Sequence, residues 1–305
     1  MRAIAIPLVL VVTACGASSA DDTGDDVPPG VVDVRVDIPA PDPNYLDLVT
    51  PDQVIAAGEE KMFCYYLDNH AGELAVQQLE AHQGNFGHHV VLLTTVEPQP
   101  DGTWEDCSDQ AEMWKFRSFV LPIPLPDGYA IKVPDGMQYV MQIHYVNTGE
   151  APILVRDVAR LKKVDAAAVQ TWVATLTTNR LDVSIPPGPL SVSFDCTIDQ
   201  DLDLLLVGGH MHEHGARFSI DIGSSPSAVD DELYLVDPWQ PSFRNLPPVS
   251  LFFSAPHHLT AGSVIRTTCE WMNDTNQTIA FPSEMCTAFG YLAGTDQPFH
   301  CQGGQ

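Results

Sequence analysis

Short apolar runs with a two-residue alternation recur along the chain, each stopped by Gly, Pro, Asp or Asn. "KMFCYYL" (61–67), "HHVVLLTTV" (88–96), "QYVMQIHYV" (138–146), "LSVSFDC" (190–196), "LDLLLVGGHMH" (202–212), "RFSIDI" (217–222) and "SVIRTTCEW" (263–271) have the length and the β-branched or aromatic content of strands. Their spacing, with turn residues between them, predicts a sandwich or jelly roll rather than alternating strands and helices. Two pieces with helical content, "LEAHQ" (79–83) and "DQAEMW" (109–114), are short and are read as turns between strands. The predicted fold class is therefore all-β. A charged stretch at 156–165 separates two strand-rich halves of similar length, which predicts two tandem jelly-roll-like β-sandwich domains, 31–165 and 166–305.

Composition narrows the partners. Apolar residues make up 45% of 305, enough for a core in each half. Acidic residues outnumber basic ones by 40 to 14, a formal charge of −26, so a nucleic-acid partner would be repelled and is not expected. The N-terminus "MRAIAIPLVLVVTACGASSADDTGDD" carries one arginine, an apolar run too short to span a bilayer, and then small residues. "VVTAC" followed by Gly16 resembles a bacterial lipobox. Residues 1–15 then read as a lipoprotein-type signal peptide ending at Cys15, which would carry the lipid, and 16–30 as a disordered acidic tether. The expected location is the bacterial cell envelope, lipid-anchored to a membrane surface. The other six cysteines, 64, 107, 196, 269, 286 and 301, are an even number suited to three disulfides in an oxidising compartment.

Four segments carry candidate chemistry. In "GGHMHEHG" (208–215), a strand would set His210 and His212 on one face, two imidazoles able to chelate a transition metal. In "GNFGHHVVLL", His88 and His89 are adjacent and so face opposite ways in a regular strand. They could share a metal only if twist or a bulge re-aimed one ring, or if the rings used different nitrogens. His144 in "MQIHYVN" sits inside an apolar strand, where an imidazole needs a partner or a metal. Met285 in "FPSEMCTAFGY" could supply a thioether, a soft donor suited to Cu(I). His214, Glu213, His257 and His258 read as solvated loop residues, and His70, His82 and His300 as surface.

Together these four segments resemble the copper type II, ascorbate-dependent monooxygenases, the group of peptidylglycine α-hydroxylating monooxygenase and dopamine β-hydroxylase. That family carries, in this order, an His-His pair, a histidine in a Gln-hydrophobic-His-Tyr strand, an His-x-His and a Met in Glu-Met-Cys. The resemblance covers about residues 55–301 and includes "SIPPG" at 184–188. It implies pairs Cys64–Cys107, Cys269–Cys286 and Cys196–Cys301, and two copper ions per chain facing each other across an open cleft. His88, His89 and His144 would bind an electron-supplying copper; His210, His212 and Met285 would bind the copper that activates dioxygen. The implied reaction inserts one oxygen atom into a C–H bond of a small substrate, with electrons from ascorbate or another external donor.

Where the peptide-hydroxylating members hold the substrate carboxylate with an arginine, an asparagine and a tyrosine, this chain has Gly208, Thr287 and Phe289. The charge-assisted clamp is missing, so a peptidylglycine substrate is not expected. The competing readings are a non-catalytic copper lipoprotein for storage or delivery on the same fold, and a structural surface lipoprotein without metals.

Overall fold

The computed structural model describes residues 27–108, 115–119, 122–244, 246–281 and 283–303. The signal segment with Cys15, most of the acidic tether and the piece "DQAEMW" lie outside them. Twelve strands come from the first half: β1 (Val32–Asp33), β2 (Tyr45–Val49), β3 (Gln53–Ile55), β4 (Glu60–Asp68), β5 (Leu74–His82), β6 (Gly87–Thr95), β7 (Trp104–Asp106), β8 (Phe116–Ser118), β9 (Tyr129–Val133), β10 (Gln138–Val146), β11 (Ile153–Val155) and β12 (Val158–Val164). Twelve more follow: β13 (Thr171–Arg180), β14 (Ser184–Ile185), β15 (Gly188–Thr197), β16 (Leu202–His210), β17 (Gly215–Ser225), β18 (Ala228–Val236), β19 (Val249–Leu251), β20 (His257–Leu259), β21 (Val264–Asn273), β22 (Ile279–Ala280), β23 (Cys286–Ala293) and β24 (Phe299–Gln302). No α-helix occurs among the described residues; short 3-10 turns form at Ala166–Ala168 and Pro241–Arg244. The chain is all-β, as its alternation predicts.

The run "QYVMQIHYV" is strand β10 residue for residue. Two expectations change. "LEAH" is the end of β5, not a turn, because Leu79 buries in the core while Ala81 and His82 continue the pairing with β12. The "LDLLLVGGHMH" strand ends at His210, two residues short of His212. The charged stretch between the halves is itself β12, and the crossing to β13 passes through the turn at Ala166–Ala168, capped by the Asp165 side chain.

Three sheets carry the architecture. A five-stranded sheet, β7-β4-β10-β6-β8, comes from the first half, and a four-stranded sheet, β15-β21-β17-β18, from the second. Between them runs a longer sheet, β19-β16-β23-β13-β9-β5-β12-β2, with β20 beside β16 and β24 beside β13, so both halves contribute strands to it. The parallel pairing of β9 with β13 joins the two contributions.

Burial explains why "LDLLLV" reads as one continuous apolar run. Leu205 and Leu206 of β16 enter a core that includes Phe63, Met141, Ile143 and Tyr291. Leu202, Leu204 and Val207 enter a second core with Phe218, Ile220 and Trp271 of the four-stranded sheet. A strand covered on both faces has no polar side to alternate with, and each buried leucine contributes roughly 1.5–3 kcal/mol. Three disulfides, Cys64–Cys107, Cys196–Cys301 and Cys269–Cys286, are the pairs the resemblance implies. They suit an exported chain or another oxidising compartment.

Candidate metal centre

His88, His89 and His144 come together at one end of the five-stranded sheet. His144 faces His89 across β10 and β6, and Tyr145 faces Gly87, so His88 is the extra residue of a β-bulge. The bulge re-aims the His88 ring to the side of its neighbour, which regular pleating forbids. Phe86, just before it, has a φ of 70°, turning the chain into the strand. The Nδ1 atoms of His88 and His89 lie 3.1 Å apart. The His144 ring is centred 4.9 Å from that of His88 and 5.2 Å from that of His89. One nitrogen from each of the three rings lies within 4.8 Å of the others.

The surroundings set which nitrogen is free. Glu60, opposite the end of β10, takes the His144 Nε2 hydrogen bond on its carboxylate at 2.9 Å. His144 Nδ1 is buried and has no partner among the described residues. A carboxylate on one ring nitrogen fixes the tautomer that leaves the other as a lone-pair donor, the arrangement found around metal-ligating histidines. The Gln83 side-chain amide donates to the backbone carbonyls of His89, at 3.2 Å, and His144, at 3.3 Å, tying the bulge to its partner strand.

The second cluster lies where β16 ends. His210 is its last residue and His212 sits in the following turn, yet their Nε2 atoms are 3.1 Å apart. Three contacts replace the strand geometry that sequence spacing suggested. The His212 ring Nδ1–H donates to the Ser283 carbonyl at 3.0 Å, leaving Nε2 as the lone-pair nitrogen. The buried Glu284 carboxylate accepts the His212 N–H at 3.0 Å, the His214 N–H at 2.6 Å and the Trp271 indole N–H at 3.1 Å. Trp239 donates its indole N–H to the His212 carbonyl at 3.0 Å. Met285 follows Glu284 and precedes the disulfide-bonded Cys286. Met285 lies just before β23, next to the Glu284 whose carboxylate holds the His212 N–H.

Burial holds His88, His89, His210 and His212 toward the neutral form. Burial, then the neighbouring His144 and His88, pushes His89 down to about 3. Burial and then His212 and His89 hold His210 at about 3. His88 and His212 are lowered too, burial being the first cause for each. His210 responds to the charge of His89, and His88 to that of His212, so the two clusters lie close enough to act on one another. Arg244, ion-paired with Glu213, bears on both clusters.

The remaining histidines stand apart. His214 Nδ1 pairs with Asp274 at 3.2 Å, and His258 Nδ1 with Asp203 at 2.9 Å. His257 and His258 belong to strand β20 on the edge of β16 rather than to a loop. Glu213 is exposed in the turn after β16, as the solvated-loop reading expects, and ion-pairs there with Arg244. His70 is exposed and bonds Asp101 at 2.9 Å. His300 departs from the surface expectation: it is partly buried in β24, and desolvation followed by Arg117 lowers it to about 4.

Glu60, Gln83, Arg244 and Glu284 escaped the sequence analysis. Glu60 and Arg244 are distant in sequence from the histidines they serve, and Gln83, six residues before His89, belongs to no motif, so pattern reading had no handle on them. Glu284 alone had a signal, since it stands beside Met285 in "SEMC".

No family model matches the chain, and no curated protein does. Among solved structures, the major capsid protein P2 of bacteriophage PM2 aligns over 84% of this chain and 100% of its own length, at 7% identity and a TM-score of 0.35. A structure of infectious bursal disease virus, Gx strain, aligns over 82% of this chain and 70% of its own length, at 9% identity and a TM-score of 0.21. Both scores lie below the level at which two chains share a fold.

Proposed function

We propose that the chain is an exported, membrane-tethered, copper-dependent monooxygenase that hydroxylates a C–H bond of a small substrate, using dioxygen and an external reductant such as ascorbate. One observation carries this reading: a three-imidazole cluster and an imidazole pair, with His88, His89, His210 and His212 held toward the neutral form by burial, stand within electrostatic reach of one another in a single chain. Cysteine 15 would carry the lipid that holds the domain at the membrane.

The donor sets fit copper. His88, His89 and His144 would hold one ion, with the buried, partnerless His144 Nδ1 as a ready ligand atom. His210, His212 and Met285 would hold the other, and a thioether beside two imidazoles favours Cu(I) over the harder divalent ions. Copper, when bound, supplies one-electron redox cycling and the activation of dioxygen.

The residues around the ligands do the rest. Glu60 and the Ser283 carbonyl hold the tautomers of His144 and His212. Glu284 fixes the turn that carries His212, taking two N–H groups from that turn and the Trp271 indole N–H from β21. Arg244 sets a positive charge beside both clusters, which attracts an anionic reductant and discourages protonation of the imidazoles.

Copper content and EPR of the full chain test the reading, with His144→Ala and Met285→Ala beside the wild type. Two coppers per chain, each variant disturbing a different one, and reductant-dependent oxygen uptake are expected. Two coppers without oxygen uptake across a substrate panel would favour copper storage or delivery. One or none would reject the two-copper reading.

A further inference from the structure

Of the four buried polar atoms outside both histidine clusters that have no hydrogen-bond partner among the described residues, Tyr139 Oη lies on β10, and the other three are Asn179 Oδ1, Thr287 Oγ1 and His300 Nδ1. They lie on β13, β23 and β24, three strands paired side by side, and the register collects them on one face. Thr287 pairs with His210 on one side and with Asn179 on the other, so these three form a cross-strand row. The next row, two residues along, holds Gly208, Phe289, Thr177 and His300. Residues of one row, and of rows two apart, point to the same side of a sheet.

That side faces the first half of the chain. Thr175, two residues before Thr177, donates its hydroxyl to the Ser118 carbonyl of β8 at 2.6 Å, and Tyr291, two beyond Phe289, sits in the core shared with Phe63 and Ile143. The face therefore grades from packed core at Tyr291 to partnerless polar atoms at the level of His210.

Each such atom left unpaired destabilises a fold. A bound group that satisfies them is one reason native chains keep such atoms. The chemistry required is specific. Asn179 Oδ1 can only accept, so the bound group must donate an N–H or O–H; Thr287 can also donate, so the group can accept as well. A carboxylate has no hydrogen to give. Among the described residues the cation acting on His300 is Arg117, whose Nη1 donates to the Phe116 carbonyl at 2.9 Å. A cationic side chain at Gly208 is blocked, because a Cβ there would approach the Phe289 ring to 2.6 Å.

We infer that Asn179, Thr287 and His300 form a binding subsite beside His210 for an uncharged group bearing both a hydrogen-bond donor and an acceptor, a carboxamide or an alcohol. That the bound group belongs to a substrate rests on the oxygenase reading; the polar subsite does not.

Calorimetric titration of the full chain with phenylacetamide and with phenylacetate, isosteres differing in charge and in donor capacity, tests it. The chain is titrated metal-free and copper-loaded, with copper content measured in parallel. Phenylacetamide is expected to bind at least ten-fold more tightly than phenylacetate. Thr287→Val and Asn179→Ala should each weaken phenylacetamide at least ten-fold. Thr287→Val should leave copper content unchanged and the Tm equal or higher, since it deletes a buried hydroxyl without a partner; a hydroxyl of purely structural value would lower the Tm instead. Equal or tighter binding of phenylacetate, no saturable binding of phenylacetamide, or unchanged amide affinity in both variants would overturn the subsite. Amide binding that depends on Asn179 in a chain unable to hold copper would uphold the subsite and reject the oxygenase reading.

Discussion

Asp157 is a buried carboxyl without a cationic partner among the described residues. It is 1% exposed and accepts the Tyr145 hydroxyl at 2.8 Å. Burial raises its carboxyl from 3.8 to about 7, outweighing the hydrogen bonds from Tyr145 and Gln83. The folded chain thus holds this proton more tightly than the unfolded one, and the contribution present at pH 4 is lost as pH rises to 7. The loss is on the order of 4 kcal/mol. Asp157→Asn removes the titration, so the Tm of the variant relative to wild type should climb between pH 4 and 7. A difference independent of pH would show that the carboxyl is ionised throughout. Because Tyr145 adjoins His144 and Gln83 clips the His89 and His144 carbonyls, this buried network also braces the first histidine cluster.

At the scale of elements, both clusters sit where a strand stops being regular. The His88 bulge turns two adjacent rings to one side, and the end of β16 lets His212 swing out of the sheet onto Ser283 and Glu284. The second cluster depends on the pairing of β16 with β23. Gly290 permits that pairing, since a Cβ there would lie 2.3 Å from the Leu206 carbonyl oxygen, and backbone cannot step aside as a side chain can. Gly290→Ala should therefore cost about 1–3 kcal/mol or more by overpacking. It should also disturb copper at His210 and His212 while sparing the three-histidine cluster. EPR of the variant checks this, and an unchanged spectrum with unchanged Tm would contradict it. Glu284→Gln tests the turn directly: the neutral amide replaces a carboxylate that accepts three N–H groups, and loss of His212 coordination with His144 coordination intact is expected.

Over the whole molecule, stability against acid and the linkage of the halves follow from burial. His89 and His210, held at about 3 instead of 6.5, stay neutral in the fold and protonate on unfolding. Their contribution is complete above pH 6.5 and is lost as pH falls toward 3. The metal-free chain should lose Tm over that window, and a flat profile would refute the neutral clusters. Core residues of the first half, such as Phe63 and Ile143, share one cluster with Leu205, Leu206 and Tyr291 of the second. The halves should therefore melt in one calorimetric transition, two separated peaks being the contrary result. Cys196–Cys301 closes a separation of 105 residues and Cys269–Cys286 one of 17. Loop entropy grows with length, so removing the longer-range bond should cost about 4–5 kcal/mol against roughly 3 for the shorter.

The sequence by itself determined the strand class and the candidate ligands. A nine-residue run rich in apolar side chains made β10 legible from end to end, although eight of its nine residues are buried and alternation therefore marks no single face. Histidines inside apolar runs stand out because an unpartnered imidazole is costly there. Tertiary structure alone decided the rest. The long sheet fuses strands of both halves, which no local pattern encodes, because pairing such as β9 with β13 depends on how distant segments meet. The ring geometry at His88 and His212 came from a bulge and from Glu284, and the tautomers came from Glu60 and Ser283. Periodicity carries information about burial along the chain, whereas the orientation of a ring depends on hydrogen-bond partners that only folding brings into reach.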